Sequence, residues 1–196
     1  MKGYKAFYYD MSCMPTLGHI FQYEVGKEYT LPKTEQLAMC KSGFHFCKEL
    51  ACVYNWYPDS IWTRVCEIEA LGKVLTECEG TKCCTDYIRI VRELEPSEIV
   101  DNLQHGHGLG LWAILSLYHN CLVQPCGMPE NCETLLLEDR VNRIKTFRKA
   151  LERAVVSEEF TSMFGTAEAS HVYGSVETVD GRLVHGENDN KEEKKE

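Results

Sequence analysis

Apolar and polar positions alternate through the first half of the chain and switch to a helical spacing in the second. Tyr4 to Tyr9 is an aromatic run after Gly3, as an opening strand would be. Phe21-Gln22-Tyr23-Glu24-Val25 alternates, Gly26-Lys27-Glu28 turns, and Tyr29-Thr30-Leu31 returns. That pattern predicts a hairpin, ended by Pro32 because proline brings no amide donor to the ladder. Gly43 to Cys47 predicts a short strand. Lys48 to Tyr57 predicts about three helical turns with Leu50, Val53, Tyr54 and Tyr57 on one stripe. Ile61 to Leu75 and Thr85 to Leu94 read as two longer strands. The fold class expected is α+β: a mostly antiparallel N-terminal sheet with one short helix, then a helical segment and a short C-terminal hairpin.

The period changes at Glu95-Pro96-Ser97, where Ser97 suits the N-cap of a helix. His105-Gly106-His107-Gly108 stops that helix, and Leu109 to Leu122 is apolar nearly all round, the composition of a buried helix. After a loop with Pro125, Gly127 and Pro129, Thr134 can cap a helix reaching about Phe160. Its stripe is Leu137, Val141, Ile144, Phe147, Leu151 and Val155. Its other face carries Arg140, Arg143, Lys145, Arg148, Lys149, Glu152 and Arg153, which reads as a salt-bridged surface or a patch for an acidic partner. Val172 to Val179 and Arg182 to His185 flank Asp180-Gly181, a two-residue hairpin turn. The organisation expected is a strand-rich domain over residues 1–95, a helical subdomain over 96–165, a hairpin over 166–186 and a disordered charged tail over 187–196.

Composition narrows the function classes. The chain has 196 residues, 21 of them Lys or Arg against 30 Asp or Glu, and a net charge of −9. Without a basic stripe, nucleic acid is not an expected partner. No apolar run reaches the ~20 residues of a membrane span, and Met1-Lys2-Gly3-Tyr4-Lys5 lacks the apolar stretch of a secretory signal. A soluble intracellular protein is expected. Eleven cysteines, an odd number, suggest reduced thiols rather than a disulfide framework. Zinc is the sharper alternative: His107, His119, Cys121, Cys126 and Cys132 combine imidazole and thiolate ligands, although no C-x-x-C pair is present. The simpler expectation is scattered thiols and no cofactor. The adjacent Cys83 and Cys84 read as one inward and one outward residue of a strand.

Three local patterns carry candidate chemistry. Glu67 and Glu69 stand at i and i+2 on a strand, so they share a face, where paired carboxylates raise each other's pKa and serve as acid or base. The plainer account is a solvated face opposite buried Val65, Ile68 and Leu71. His45 lies between Phe44 and Phe46; if these face the core, His45 meets a cleft where it contacts a ligand, or else it is a hydrogen-bonded structural residue. His105 and His107, among glycines ahead of an apolar helix, suit an anion at a helix N-terminus, or simply a hinge. No nucleophile elbow, zinc-protease or kinase signature is present.

Gly3-Tyr4-Lys5-Ala6-Phe7, Phe21-Gln22-Tyr23-Glu24-Val25-Gly26-Lys27-Glu28-Tyr29, Cys40-Lys41-Ser42-Gly43-Phe44-His45-Phe46-Cys47, Tyr57-Pro58 and Glu67 to Gly72 follow one another in a recognisable order. Over residues 2–95 the chain resembles an uncharacterised domain of tailed-phage, prophage and large DNA virus proteins. The resemblance implies a viral accessory protein of the host cytoplasm or of the virion. It would act by binding a host or viral protein through its helical segment, which would also serve any homo-oligomer. A zinc-stabilised minor virion protein is a variant of this reading. A second likeness is to ADP-ribosyltransferase folds, and it implies an NAD-using enzyme. Tyr4, Lys5, Phe44, His105 and His107 are the ligand-binding candidates, and in this likeness Lys5 would sit where such enzymes place Arg or His. His45 would line the nicotinamide pocket, and Glu69, with Glu67 beside it, would polarise the ribose. Binding leads, because no complete set of catalytic groups is legible.

Overall fold

The computed structural model describes residues 1–13, 20–57, 60–77, 81–105, 107–123, 137–157, 162, 176–179 and 182–185. At 107–108, 120–123, 137, 176–179 and 182–185 the description is of the backbone alone. The strands are β1 Lys2–Phe7, β2 Ser12–Cys13, β3 Phe21–Gln22, β4 Glu28–Thr30, β5 Phe44–Cys47, β6 Arg64–Ala70, β7 Val74–Thr76, β8 Lys82–Thr85, β9 Tyr87–Glu93, β10 Val176–Val179 and β11 Arg182–His185. A 3₁₀ turn spans Ala51–Asn55, and the helices are α1 Pro96–Gln104, α2 His107–Val123 and α3 Leu137–Val155. Seven strands form an antiparallel sheet in the order β4-β9-β6-β1-β5-β8-β7, so the fold is α+β. The sheet and the three helices lie in one compact unit, Met1–Val155; a second unit, Val156–Glu196, contains the antiparallel pair β10–β11. Among the described residues, no helix is long and apolar enough to cross a membrane.

Strand parity decides what each face buries. Gly3, Lys5 and Phe7 oppose Ile68, Cys66 and Arg64 across β1 and β6, and Tyr4 opposes Cys47 on β5, which puts Phe46 and Phe44 on the Lys5 face. Phe7, Phe44, Phe46, Cys66, Ile68 and Ala70 pack there with Tyr23, Ile88 and Ile90 in one apolar cluster. On the opposite face Ala6 and Val65 are buried as well, and the 3₁₀ turn lies against β1, β5 and α2. The sheet is therefore covered on both sides. This corrects the reading of Cys83 and Cys84 as one inward and one outward: both are fully buried.

The predicted hairpin of residues 21–31 does not form. β3 pairs with β2, and β4 pairs with β9, Tyr29 opposite Ile88. The cause is Tyr23, which leaves the strand and packs on the Phe7 ring at 5.1 Å in the core. Gly26, at φ +82°, then hands its N–H to the Ile90 carbonyl at 2.7 Å and aligns β4 on β9. The three-turn helix expected over 48–57 is a 3₁₀ turn, because Leu50, Ala51, Cys52 and Val53 are buried consecutively and a one-stripe helix cannot do that. The long strand expected over 61–75 breaks after Ala70, where the Asp86 carboxylate accepts the Lys73 N–H at 2.8 Å. Leu71, expected among the buried positions of that strand, is exposed.

α1 begins one residue before the expected cap. Glu95 is the N-cap, Pro96 follows, and the Glu95 and Glu98 side chains satisfy each other's backbone amides. In α3 the expected apolar stripe is buried at Phe147, Leu151 and Val155, half-buried at Ile144 and exposed at Val141. Arg143, however, leaves the solvated face assigned to it. Its Nε donates to the Ile61 carbonyl at 2.6 Å and its Nη2 to the Thr63 carbonyl at 3.2 Å, fastening α3 to the entry of β6. Thr134, Pro125, Gly127, Pro129 and residues 187–196 lie outside the described residues.

Candidate functional site

β1 pairs with β6 along its whole length but meets β5 in register only at Tyr4 and Cys47. Where these two strands part, both line a cavity of about 780 Å³, a size suited to a small organic molecule. Its walls are aromatic. Phe21, Tyr23, Tyr29 and Phe44 form a mutually packed set with ring centroids 4.7–6.4 Å apart, and Tyr8 meets Tyr57 edge-on at 5.7 Å. Such rings offer flat faces to a planar guest.

Lys5 is the unusual member. The parity of β1 turns it to the core face, and it is 6% exposed. Its Nζ donates to the His45 carbonyl oxygen at 2.9 Å and lies 5.2 Å from the Tyr23 ring centroid and 5.5 Å from that of Phe7. An ammonium has three donors, yet among the described residues this carbonyl is its one hydrogen-bond acceptor, and no carboxylate pairs with it. Burial therefore pushes the Lys5 amine below its ordinary pKa, while the thiols of Cys13, Cys47, Cys84 and Cys66 pull weakly the other way.

His45 lines the same cavity and is also hydrogen-bonded: its Nε2 accepts the Cys40 N–H at 3.0 Å. Burial, helped by the charges of Lys5 and Lys82, lowers its pKa to about 4, so the ring is neutral at pH 7 with its proton on Nδ1. At the rim, Lys82 sits over the Trp56 ring at 3.9 Å and its Nζ donates to Cys40 Sγ at 3.2 Å. Gly43 closes this corner at φ +128°, where an added Cβ would stand 2.5 Å from Cys84 Sγ, so only glycine fits. Burial holds the Cys47 thiol up to about 12 and the Cys84 thiol up to about 11, and it raises the Tyr23 and Tyr57 hydroxyls. These groups stay protonated at neutral pH, so the buried thiols are poor nucleophiles.

The structure brings together Tyr4, Lys5, Phe44 and His45 on the cavity wall. It does not bring Glu67 or Glu69 there. They share a face as expected, but each is held by its own arginine: Glu67 by Arg92 Nη2 at 2.9 Å and Glu69 by Arg89 Nη1 at 3.4 Å. His105 is exposed and ends α1, its N–H donating to the Asp101 carbonyl. Of the zinc candidates, His119 is exposed on α2, whereas the side chains of His107 and Cys121, and the whole of Cys126 and Cys132, lie outside the described residues. Among the described residues no three His, Cys, Asp or Glu side chains gather as a metal group, and Cys13, Cys40, Cys47, Cys52, Cys66, Cys83 and Cys84 are free thiols. Sequence reasoning missed Tyr23, Cys40, Trp56 and Lys82. The density of rings between residues 21 and 29 was the available signal.

Residues 1–102 match the family described as domain of unknown function DUF7666. The chain belongs to that family. The DUF7666 region takes in β1 to β9 and most of α1, and with them every residue that lines the cavity. α2 and α3 lie beyond it. No curated protein and no solved structure matches the chain.

Proposed function

We propose that the DUF7666 region is a receptor for a small planar molecule, largely apolar and carrying a carbonyl or carboxylate oxygen. The observation that supports this reading is Lys5: a buried lysine that lines an aromatic cavity, with a single protein acceptor among the described residues. Burying an amine without a counter-ion costs on the order of several kcal/mol. A guest whose oxygen meets Nζ would offset that cost, and ring stacking would contribute about 1 kcal/mol per aromatic pair. A planar aromatic acid is the simplest such guest. Trp56 on the rim supplies the readout: titration with aromatic carboxylates and carbonyl compounds should change its emission with a Kd of roughly micromolar order. Lys5→Met should weaken binding at least about tenfold. Unchanged emission across such a set would overturn the reading.

A second reading keeps the chain as a viral accessory protein that holds a host or virion protein through its helices. What favours it is Leu109 and Trp112, about one turn apart on α2 and 57% and 63% exposed. Large apolar side chains grouped in this way suit a protein partner. Tagged chain recovered from infected cells should carry one partner at stoichiometric amount, and Leu109→Ser with Trp112→Ser should release it. Equal recovery with both forms would count against it. An NAD-using activity is the less favoured account, because Glu67 and Glu69 stand outside the cavity lining in arginine pairs.

A further inference from the structure

We infer that Lys5 forms an imine with an aldehyde or ketone group of the cavity's ligand, which makes this receptor a covalent, reversible binder of carbonyl compounds. The inference rests on the receptor reading and assigns a bond within it. Its basis is where the nitrogen sits and what surrounds it. Lys5 lines the cavity, its acceptor among the described residues is a carbonyl rather than a carboxylate, and Nζ lies over the Phe7 and Tyr23 rings.

The titratable groups around it are the thiols of Cys13, Cys47, Cys66 and Cys84, the Tyr23 hydroxyl and the His45 ring. His45 is neutral at pH 7, and burial keeps the Cys47, Cys66, Cys84 and Tyr23 protons in place. Desolvation is the largest influence on the lysine and favours the free amine, with the thiols opposing it. A desolvated lysine in an apolar pocket is a nucleophile toward carbonyl carbon.

The bonds balance without an oxidant. The Nζ lone pair attacks the carbonyl carbon, and the C=O π electrons move to oxygen, which takes up a proton as the nitrogen gives one up. The carbinolamine then loses that oxygen as water, and the nitrogen lone pair closes C=N as a second proton leaves nitrogen. Amine and carbonyl thus give imine and one water.

The test uses the full chain with 2-naphthaldehyde and cyanoborohydride, which reduces an imine to a stable secondary amine. Peptide mapping should place one naphthylmethyl group on Lys5, formed at least about tenfold faster than on any other lysine. Excess 2-naphthoate, which has the same shape and cannot form an imine, should slow that labelling and leave the surface lysines unaffected. Lys5→Arg should abolish the fast label, with thermal unfolding confirming that the variant folds. Should that variant not fold, naphthoate protection of the wild-type chain decides by itself. Even labelling of surface lysines with Lys5 unmodified overturns the imine. If naphthoate still changes Trp56 emission in that case, the receptor reading stands alone; if neither compound affects the protein, both fall.

Discussion

Lys5 sets the residue scale, because one side chain carries both the site's chemistry and a cost in stability. Replacing a buried polar group that lacks a counter-ion by an apolar side chain of similar volume removes its desolvation cost, on the order of 1–4 kcal/mol. Lys5→Met in the ligand-free chain is therefore expected to raise the thermal midpoint by at least about 2 °C, at roughly 2–4 °C per kcal/mol for a chain of this size. A lowered midpoint in differential scanning calorimetry would mark Lys5 as a structural residue instead. His45 gives the second prediction. Its pKa falls from 6.5 to about 4 on folding, so between those values the unfolded chain binds a proton that the folded chain does not. The stability it contributes is fully present above pH 6.5 and is lost as pH falls toward 4. Allowing for the ring's partial exposure, the loss is on the order of 2 kcal/mol. Urea midpoints taken from pH 7 to pH 4.5 should fall, and His45→Gln should flatten that interval. Glu28 and Glu98 have pKa values lowered by their partners, Tyr87 with Arg89 for Glu28 and Arg92 for Glu98, so their contributions are lost only below about pH 4.5.

At the element scale, α3 shows how two arginines on one nominal face differ. Arg148 pairs with Glu152 one turn on, both partly exposed, and removing it should change stability by no more than about 0.5 kcal/mol. Arg143, its side chain 13% exposed, donates to the Ile61 and Thr63 carbonyls and lies against the Phe147 ring at 5.1 Å. Arg143→Met leaves those two carbonyls without their donor, and denaturant unfolding should show a loss of about 2–4 kcal/mol. Equal effects of the two substitutions would mean that α3 is not fastened there. The α3 stripe was legible because a period near 3.6 is a local property of the chain. Arg143 was not, since its acceptors lie about eighty residues upstream. The hairpin of residues 21–31 failed for a similar reason: alternation identifies a strand but not its partner, and β9 outcompeted the neighbouring segment.

For the whole molecule, the α+β class followed from the order of alternating and helical segments, but the extent of the folded body did not. Residues 1–95 read as a strand-rich domain and 96–165 as a helical subdomain, and the sheet and helices α1 to α3 lie in the unit Met1–Val155. The helices bring buried Ile99, Leu103, Ile114, Leu117 and Phe147 into it. A chain ending at Val155 should therefore unfold in one cooperative transition and keep the ligand response of Trp56. A chain ending at residue 102 should expose apolar surface and bind a hydrophobic dye. If the shorter chain alone behaved as a compact ligand-binding unit, the helices would be dispensable to the body.

The sequence by itself determined the α+β class, the strands β1, β5 and β9 and the existence of α1, α2 and α3, because backbone sterics and apolar periodicity act over a few residues. Only the tertiary structure decided that Lys5 is buried, that Tyr23, Trp56 and Lys82 border the same cavity, and that Glu67 and Glu69 each belong to an arginine. Those outcomes depend on which strand lies beside which and on what covers each face of the sheet. Segments far apart along the chain compete for the same apolar surface, and no local pattern records which of them wins.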